Sequence, residues 1–411
     1  MSMTATSGSS SWIDRADAPP LQTTLLAVFV CTSLLIALPI IWQIYWPASD
    51  GMDVKGNQIG RDFINTWAGP QIAMAGKAIS LYDLQSYQAQ LDVLWGRPLS
   101  SHNFSYPPSA ILIFWPFAQL PYFVALPVWL LVTFAALAAT MLSQLPREKR
   151  AVGLLLLAVS PAVIINTLSG QNGYLSAALL IGGMLLIERR PYAAGVVFGL
   201  LSYKPHLGLV LAIVLIALDA RRTIAAAAVT TMSLVAISVA AFGIEPFSLY
   251  LTATRDYQLH LLEEWNGFYI YMMPTWFAPL RSAGVPYQIA LTLQAVLSCV
   301  VIALTCWAVR QTRDPAARVF VVAAATPLAL PYAFTYDLPA LAVASVWLLT
   351  GRLRCEGSNI IVLQCAWIAP LLSISLLLNQ PDYASYLLAL APAALTAFFA
   401  MSVFAARSDS A

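Results

Sequence analysis

The sequence predicts an all-α polytopic membrane protein, a bundle of about twelve transmembrane helices with interfacial helices in its first external loop. Composition, hydropathy and the spacing of basic residues all require it. Of 411 residues, 60% are hydrophobic and only 10% are charged, too few charges to clothe a water-soluble fold. Mean hydropathy is +0.74. Apolar runs of about 20 residues, enough to cross ~30 Å of hydrocarbon, recur along nearly the whole chain.

Residues 1–20 are rich in Ser, Thr and Ala and contain Pro19-Pro20. They lack the basic n-region and small-residue cleavage site of a signal peptide, so a short disordered cytoplasmic tail precedes an uncleaved first span. Basic clusters then punctuate the chain: Arg147-Glu148-Lys149-Arg150, Glu188-Arg189-Arg190, Arg221-Arg222, the stretch 310–318, Arg352-Leu353-Arg354, and Arg407. Short loops rich in Lys and Arg stay in the cytoplasm, so each cluster pins one side. Spans follow at about 22–46, 121–143, 151–168, 172–187, 191–203, 205–219, 222–243, 286–309, 317–332, 336–350, 358–378 and 383–405. This register puts both termini and every basic cluster inside. Residues 21–406 form a single membrane domain and 407–411 a cytoplasmic tail. The apolar segment 107–120 would be only about 21 Å long as a helix. It is expected to be interfacial or re-entrant and packed against protein.

Two external connections are long, 47–106 and 244–285, where most are a few residues. Long loops in a compact domain are usually functional, which makes the external face the working face. Stretches 62–75 and 83–94 of the first loop carry amphipathic helical patterns, with Phe63, Trp67, Ile72 and Ala75 apolar in the first. The second loop has a similar stretch at 246–262, then Trp265-Asn266-Gly267 and the apolar segment 268–280.

Other function classes have less support. A net charge of +2 gives a nucleic-acid partner no electrostatic support. The five cysteines, Cys31, Cys299, Cys306, Cys355 and Cys365, have no CxxC spacing, so neither a disulfide framework nor a metal site is expected. No Asp-x-Asp motif is present, and no metal or cofactor is expected. A secondary transporter would suit twelve spans but should show charged residues deep within them and related halves. Most ionisable residues here lie on loops, and no halves or fixed-period repeat can be detected.

Five elements occur in order: Gly60-Arg61-Asp62-Phe63, Tyr82-Asp83 after Gly76, Phe104-Ser105-Tyr106-Pro107-Pro108, Gly170-Gln171-Asn172-Gly173, and Lys204-Pro205 after Gly195. Over about residues 20–345 the chain resembles glycosyltransferase family 87, polytopic mannosyltransferases of the GT-C superfamily that use polyprenyl-phosphate-mannose. The resemblance implies a GT-C-like bundle in a plasma (inner) membrane, with its active site on the external face. It also implies a polyprenyl-phosphate-linked sugar donor, an external glycolipid or glycan acceptor, and transfer of a hexose, mannose, with inversion. A glycan ligase or polymerase using a lipid-diphosphate donor remains an alternative, as does the transporter.

By that resemblance Asp62 corresponds to the acidic residue after the first span that acts as general base. An inverting transfer needs such a carboxylate to take the acceptor's proton, although Asp is also a good helix N-cap. Lys204 ends two half-length apolar helices, where an unpaired ammonium is costly and a lipid phosphate is a natural partner. A snorkelling lysine is the plainer alternative. His206 and Arg281 are further candidates for the donor phosphate. Asp337, Gln171, Asn172 and Tyr106 are candidate substrate contacts, though an Asn-Gly turn alone explains Gln171 and Asn172 equally well. Trp67, Tyr82, Tyr106, Trp265, Tyr269 and Trp276 could stack on sugars, but an interfacial aromatic belt accounts for most of them. Glu263 and Glu264 read as a solvated face.

Overall fold

Every regular element of the computed structural model, which describes residues 19–264, 268–354, 359–379 and 387–408, is helical. Most of the N-terminal tail, Trp265, Cys355, Asp382 and the end of the C-terminal tail lie outside those residues. Among the described residues five helices are long and apolar enough to cross a membrane: Thr23–Tyr45, Tyr122–Leu142, Arg221–Phe242, Tyr287–Gln311 and Leu390–Arg407. A helix satisfies its own backbone hydrogen bonds, as hydrocarbon demands. The chain is an all-α membrane protein.

Most of the other apolar helices are shorter, and the sequence says why. Pro161–Ser169, Pro191–Leu200, Pro205–Ala217, Pro315–Ala325 and Pro339–Leu349 each open with proline at the first turn, where a missing N–H costs nothing and φ is already helical. Ser160-Pro161 also breaks the pair Arg147–Val159 and Pro161–Ser169, which bend by 53°. Pro205–Ala217 has 13 residues, about 20 Å against ~30 Å of hydrocarbon. Short helices such as this, with one end beside an arginine turn, therefore have their other end inside the bundle.

The basic turns gather at the opposite end. Arg352 grips Asp314 with both terminal nitrogens (2.9 and 2.6 Å), Arg318 reaches Glu188 at 2.6 Å, and Lys149 donates to the carbonyl of Thr350 at 2.7 Å. Polar side chains also join the helices laterally: Trp367 Nε1 donates to Ser33 Oγ and Gln364 Nε2 to Thr32 Oγ1, each at 2.7 Å. Gly195 and Gly199, four residues apart, let Arg221–Phe242 approach so closely that a Cβ on Gly195 would stand 2.5 Å from the carbonyl oxygen of Thr223.

The first long connection folds over the inner ends of the short helices. It contains Phe63–Ile72 and Leu84–Trp95. Asp83 caps the second helix by accepting from Ser86 N at 2.8 Å, and the Ser86 side chain, followed by this backbone bond, holds its carboxyl below the usual carboxylate range. Gly96, at φ 83°, ends it. Ala110–Ala118, nine residues long, lies against Phe63–Ile72, where Gly69 makes room for the Phe104 ring. Trp67 and Tyr82 do not form an interfacial belt. Trp67 donates to the carbonyl of Leu120 at 2.8 Å and meets Tyr122 edge-on, and Tyr82 meets Phe104 edge-on. Edge-to-face packing gives this loop a core of its own, and that is what claims the rings. Trp276 is likewise tied inward, to Thr396 Oγ1 at 2.9 Å.

Candidate active site

Asp62 is aimed by a strained turn. Gly60 (φ 85°) and Arg61 (φ 38°) are consecutive left-handed residues, a conformation costly for arginine that must be held from outside. The side chain supplies the hold: Arg61 Nη2 donates to Asp53 Oδ2 at 2.6 Å and to the carbonyl of Ile44 at 3.0 Å, and its guanidinium lies 4.3 Å from the Tyr45 ring centroid. Asp62 then occupies the N-cap position of Phe63–Ile72, but its side chain makes no cap hydrogen bond. It accepts instead from Gln171 Nε2 at 2.9 Å.

Two glycines bring the remaining pieces to it. Gly170 (φ 59°) ends Pro161–Ser169, and a Cβ there would stand 2.1 Å from the carbonyl oxygen of Gly60. A Cβ on Gly173 would stand 2.0 Å from the carbonyl oxygen of Tyr336. Backbone segments 60–62, 170–173 and 335–337 can touch only because these side chains are absent. Asp62 N, donating to the carbonyl of Ser169 at 3.1 Å, and Asn166 Nδ2, donating to that of Tyr336 at 3.3 Å, fasten the contacts.

A single line of hydrogen bonds follows. Asp62 takes Gln171 Nε2, and Gln171 Oε1 accepts from the Tyr106 hydroxyl at 3.4 Å. That hydroxyl accepts from Asn172 Nδ2 at 2.8 Å. Asn172 Oδ1 accepts from Lys204 Nζ at 2.8 Å, and Lys204 Nζ lies 2.5 Å from Asp337 Oδ1. Tyr203 steadies the middle, donating to the carbonyl of Asn172 at 3.1 Å and sharing a 2.6 Å contact with Ser176 Oγ. Burial, with the Asp62 and Asp337 carboxylates nearby, pushes the Tyr106 hydroxyl well above the ordinary tyrosine range, partly countered by Asn172. Tyr106 therefore keeps its proton and stays a donor.

These residues floor a cavity of about 420 Å³, within the range of small-ligand sites. Its walls differ. One is the hydroxyl- and amide-bearing stretch 100–105 with Asn57; another is apolar, from Leu261, Leu262, Met272, Met273 and Phe334. Arg61 is paired with Asp53, and Lys204 with Asp337. Among the described residues Asp62 has no ion-pair partner and is held by a neutral amide, so it can accept a proton. Lys204 is only 6% exposed, and its ammonium can face an anion in the cavity.

Asp62, Tyr106, Gln171, Lys204, His206 and Asp337 thus meet at one cavity, with Asn172 hydrogen-bonded beneath it. His206 lines it with its ring 5.7 Å from that of Tyr332, whose hydroxyl donates to Gln258 Oε1 at 2.6 Å. Arg281 is not brought there. Its guanidinium donates to the carbonyls of Val285 (2.8 Å) and Glu263 (2.7 Å), capping the end of Arg255–Glu264, where unsatisfied carbonyls attract a cation. Glu263 and Glu264 themselves are exposed. Asn65, which lines the cavity and accepts from the Tyr87 hydroxyl at 2.6 Å, escaped the sequence reading; its position one helical turn after Asp62 was the available signal.

No curated protein and no solved structure matches the chain. The family model for glycosyltransferase family 87 matches residues 104–331, which include Tyr106, Gln171, Asn172 and Lys204; Asp62 and Asp337 lie on either side of the match and join those residues through the hydrogen bonds above. With more than half of its 411 residues covered, the chain belongs to glycosyltransferase family 87 and is a membrane glycosyltransferase.

Proposed function

We propose that the enzyme moves a hexose, mannose by family resemblance, from a polyprenyl-phosphate donor to an external glycolipid or glycan acceptor, with inversion. One observation carries the reading: Asp62, a carboxylate with no ion-pair partner among the described residues, and a buried ammonium, Lys204, share one hydrogen-bonded floor beneath a cavity of about 420 Å³. In the reaction the acceptor hydroxyl oxygen bonds to the hexose C1. The C1–O bond to phosphate breaks, and its electron pair leaves with the phosphate. The hydroxyl proton passes to Asp62, the general base, while Lys204 offsets the charge on the departing phosphate. Asp337 keeps Lys204 aimed when the donor is absent, Gln171 and Asn172 fix the two charged groups in register, and Tyr106 and His206 contact substrate.

The helix lengths support a lipid-borne donor. Helices of about 20 Å with one end at the cytoplasmic arginine turns leave the cavity floor roughly 10 Å below the outer surface of the hydrocarbon. A phosphate anchored by a prenyl chain reaches such a floor, and the apolar wall suits the chain. Twelve crossings with both termini inside, one domain over 21–406 and an external working face in a plasma (inner) membrane complete the proposal.

Proteoliposomes given labelled polyprenyl-phosphate-mannose, a polyprenyl-diphosphate-linked sugar or a nucleotide sugar test the donor class. Transfer is expected from the monophosphate alone. Use of the diphosphate in its place would make the protein a ligase or polymerase. Sidedness has its own check: Asn57→Cys, Ser101→Cys and Leu259→Cys, each in a background without native cysteines, are expected to react with impermeant maleimide from outside. Glu148→Cys and Arg313→Cys should react only after permeabilisation, and the opposite pattern would invert the topology.

A further inference from the structure

The cavity floor runs from Asp62 through Gln171, Tyr106 and Asn172 to Lys204. On the proposed reading, on which this inference rests, the transferred hexose lies over that floor with C1 between the two charged groups. Asn65 stands beside it. It follows Asp62 by one turn at the start of Phe63–Ile72, so the two side chains are neighbours. It lines the cavity while only 6% exposed, and its Oδ1 accepts from the Tyr87 hydroxyl at 2.6 Å. Among the described residues its Nδ2 has no hydrogen-bond partner.

Tyr87 decides which way the amide faces. Its fully buried ring meets Phe104 edge-on at 6.0 Å, and Phe104 fills the space that Gly69 leaves on the Asp62 helix. Phe104 also meets the Tyr106 ring edge-on at 5.5 Å. The Asn65–Tyr87 pair is thus tied to Asp62 through the helix and to Tyr106 through Phe104, alongside the middle of the floor. Burial, then the neighbouring Tyr106 and Asp62, push the Tyr87 hydroxyl well above the ordinary tyrosine range, so it keeps its proton. A buried phenolic O–H needs an acceptor, and Asn65 Oδ1 is the one it has. Turned over, the amide would set N–H against O–H and strand that proton. The cavity therefore meets only the N–H side of Asn65. Such a donor, one turn from the general base, cannot serve the attacking oxygen. That oxygen gives its proton to Asp62 and must keep a lone pair free for C1. A hydroxyl oxygen of the hexose lying over the floor can accept from it without cost to the reaction.

We infer that Asn65 Nδ2 donates to a hydroxyl oxygen of the transferred hexose and helps set which hexose the site takes, with Tyr87 as the residue that positions it. Binding reads this without need of an acceptor. Non-transferable polyprenyl-phosphonate mannose and its four monodeoxy analogues are titrated into the full-length protein in lipid nanodiscs. Wild type is expected to bind one of the analogues about 10-fold more weakly than the parent, the loss of one hydrogen bond. Asn65→Ala should bind the parent about 10-fold more weakly but that same analogue within about two-fold of its wild-type value, because both changes remove one contact and their losses do not add. Tyr87→Phe keeps the ring and frees the amide, so its loss on the parent should be about 3-fold, with weakened discrimination against the same analogue. An Asn65 that served folding alone would lower every affinity together and leave the ratios as in wild type. Such unchanged ratios, equal binding of all the analogues and the parent by wild type, or wild-type affinities in Tyr87→Phe would each overturn the inference. Should Asn65→Ala not fold, the ratios in Tyr87→Phe decide alone. Failure of wild type to bind the parent phosphonate would instead sink the proposed function.

Discussion

Asp62→Asn is expected to lower transfer by about 10²-fold or more, the scale of removing a positioned general base, with donor affinity almost unchanged. Asn keeps the shape and can still bond Gln171 through its own carbonyl oxygen, so the 2.9 Å link need not be lost. What disappears is the basic oxygen. A helix-capping role would give another outcome, because Asn caps about as well as Asp; the Asp62 side chain in any case makes no cap hydrogen bond. Transfer of labelled mannose in proteoliposomes, with wild type and variant matched for folded protein, is the measurement. Activity within a few-fold of wild type would remove Asp62 from the chemistry.

Lys204→Ala is expected to damage both stability and donor binding, and the two effects can be separated. The ammonium is 2.5 Å from Asp337 Oδ1 and bonds Asn172. Asp337 Oδ2 is already buried with no hydrogen-bond partner among the described residues. Removing the cation strands that carboxylate, at a cost of about 3–5 kcal/mol. Lys204→Met combined with Asp337→Leu removes both charges and fills the space, so its thermal midpoint should return most of the way to wild type. Donor binding should remain lost. Lys204→Arg keeps the charge, but a planar fork replaces a compact ammonium whose contacts to Asn172 and Asp337 are short, so partial donor binding with lowered stability is expected. Full donor affinity in the doubly substituted protein would mean that the phosphate does not meet Lys204.

Much of this architecture was legible in the sequence, because hydrocarbon length and arginine placement are local signals. The proline-opened short helices near 191 and 205 and the short segment 107–120 could be read from spacing alone. The pairing of Lys204 with Asp337 could not: the partners are 133 residues apart, and nothing in either neighbourhood marks the other. Gln171 and Asn172 read equally well as turn residues. They are that, with Gly170 left-handed beside them, and their amides also join Asp62 to Lys204. What decides it is the backbone contact of Gly170 with Gly60 and of Gly173 with Tyr336, a tertiary approach invisible to composition. Arg281 shows the converse. An arginine in a long external loop invites an anion, yet the end of a neighbouring helix supplies carbonyls that claim it first.

The arrangement of donor and base is tested most directly by the structure of the protein with a non-transferable polyprenyl-phosphonate mannose analogue. The phosphorus group should lie within hydrogen-bonding distance of Lys204 Nζ, with the prenyl chain along Leu261, Leu262 and Phe334 and the mannose C1 between Lys204 and Asp62. A phosphonate seated at Arg281, at the cytoplasmic arginine turns, or in the cavity with C1 turned away from Asp62 would contradict it.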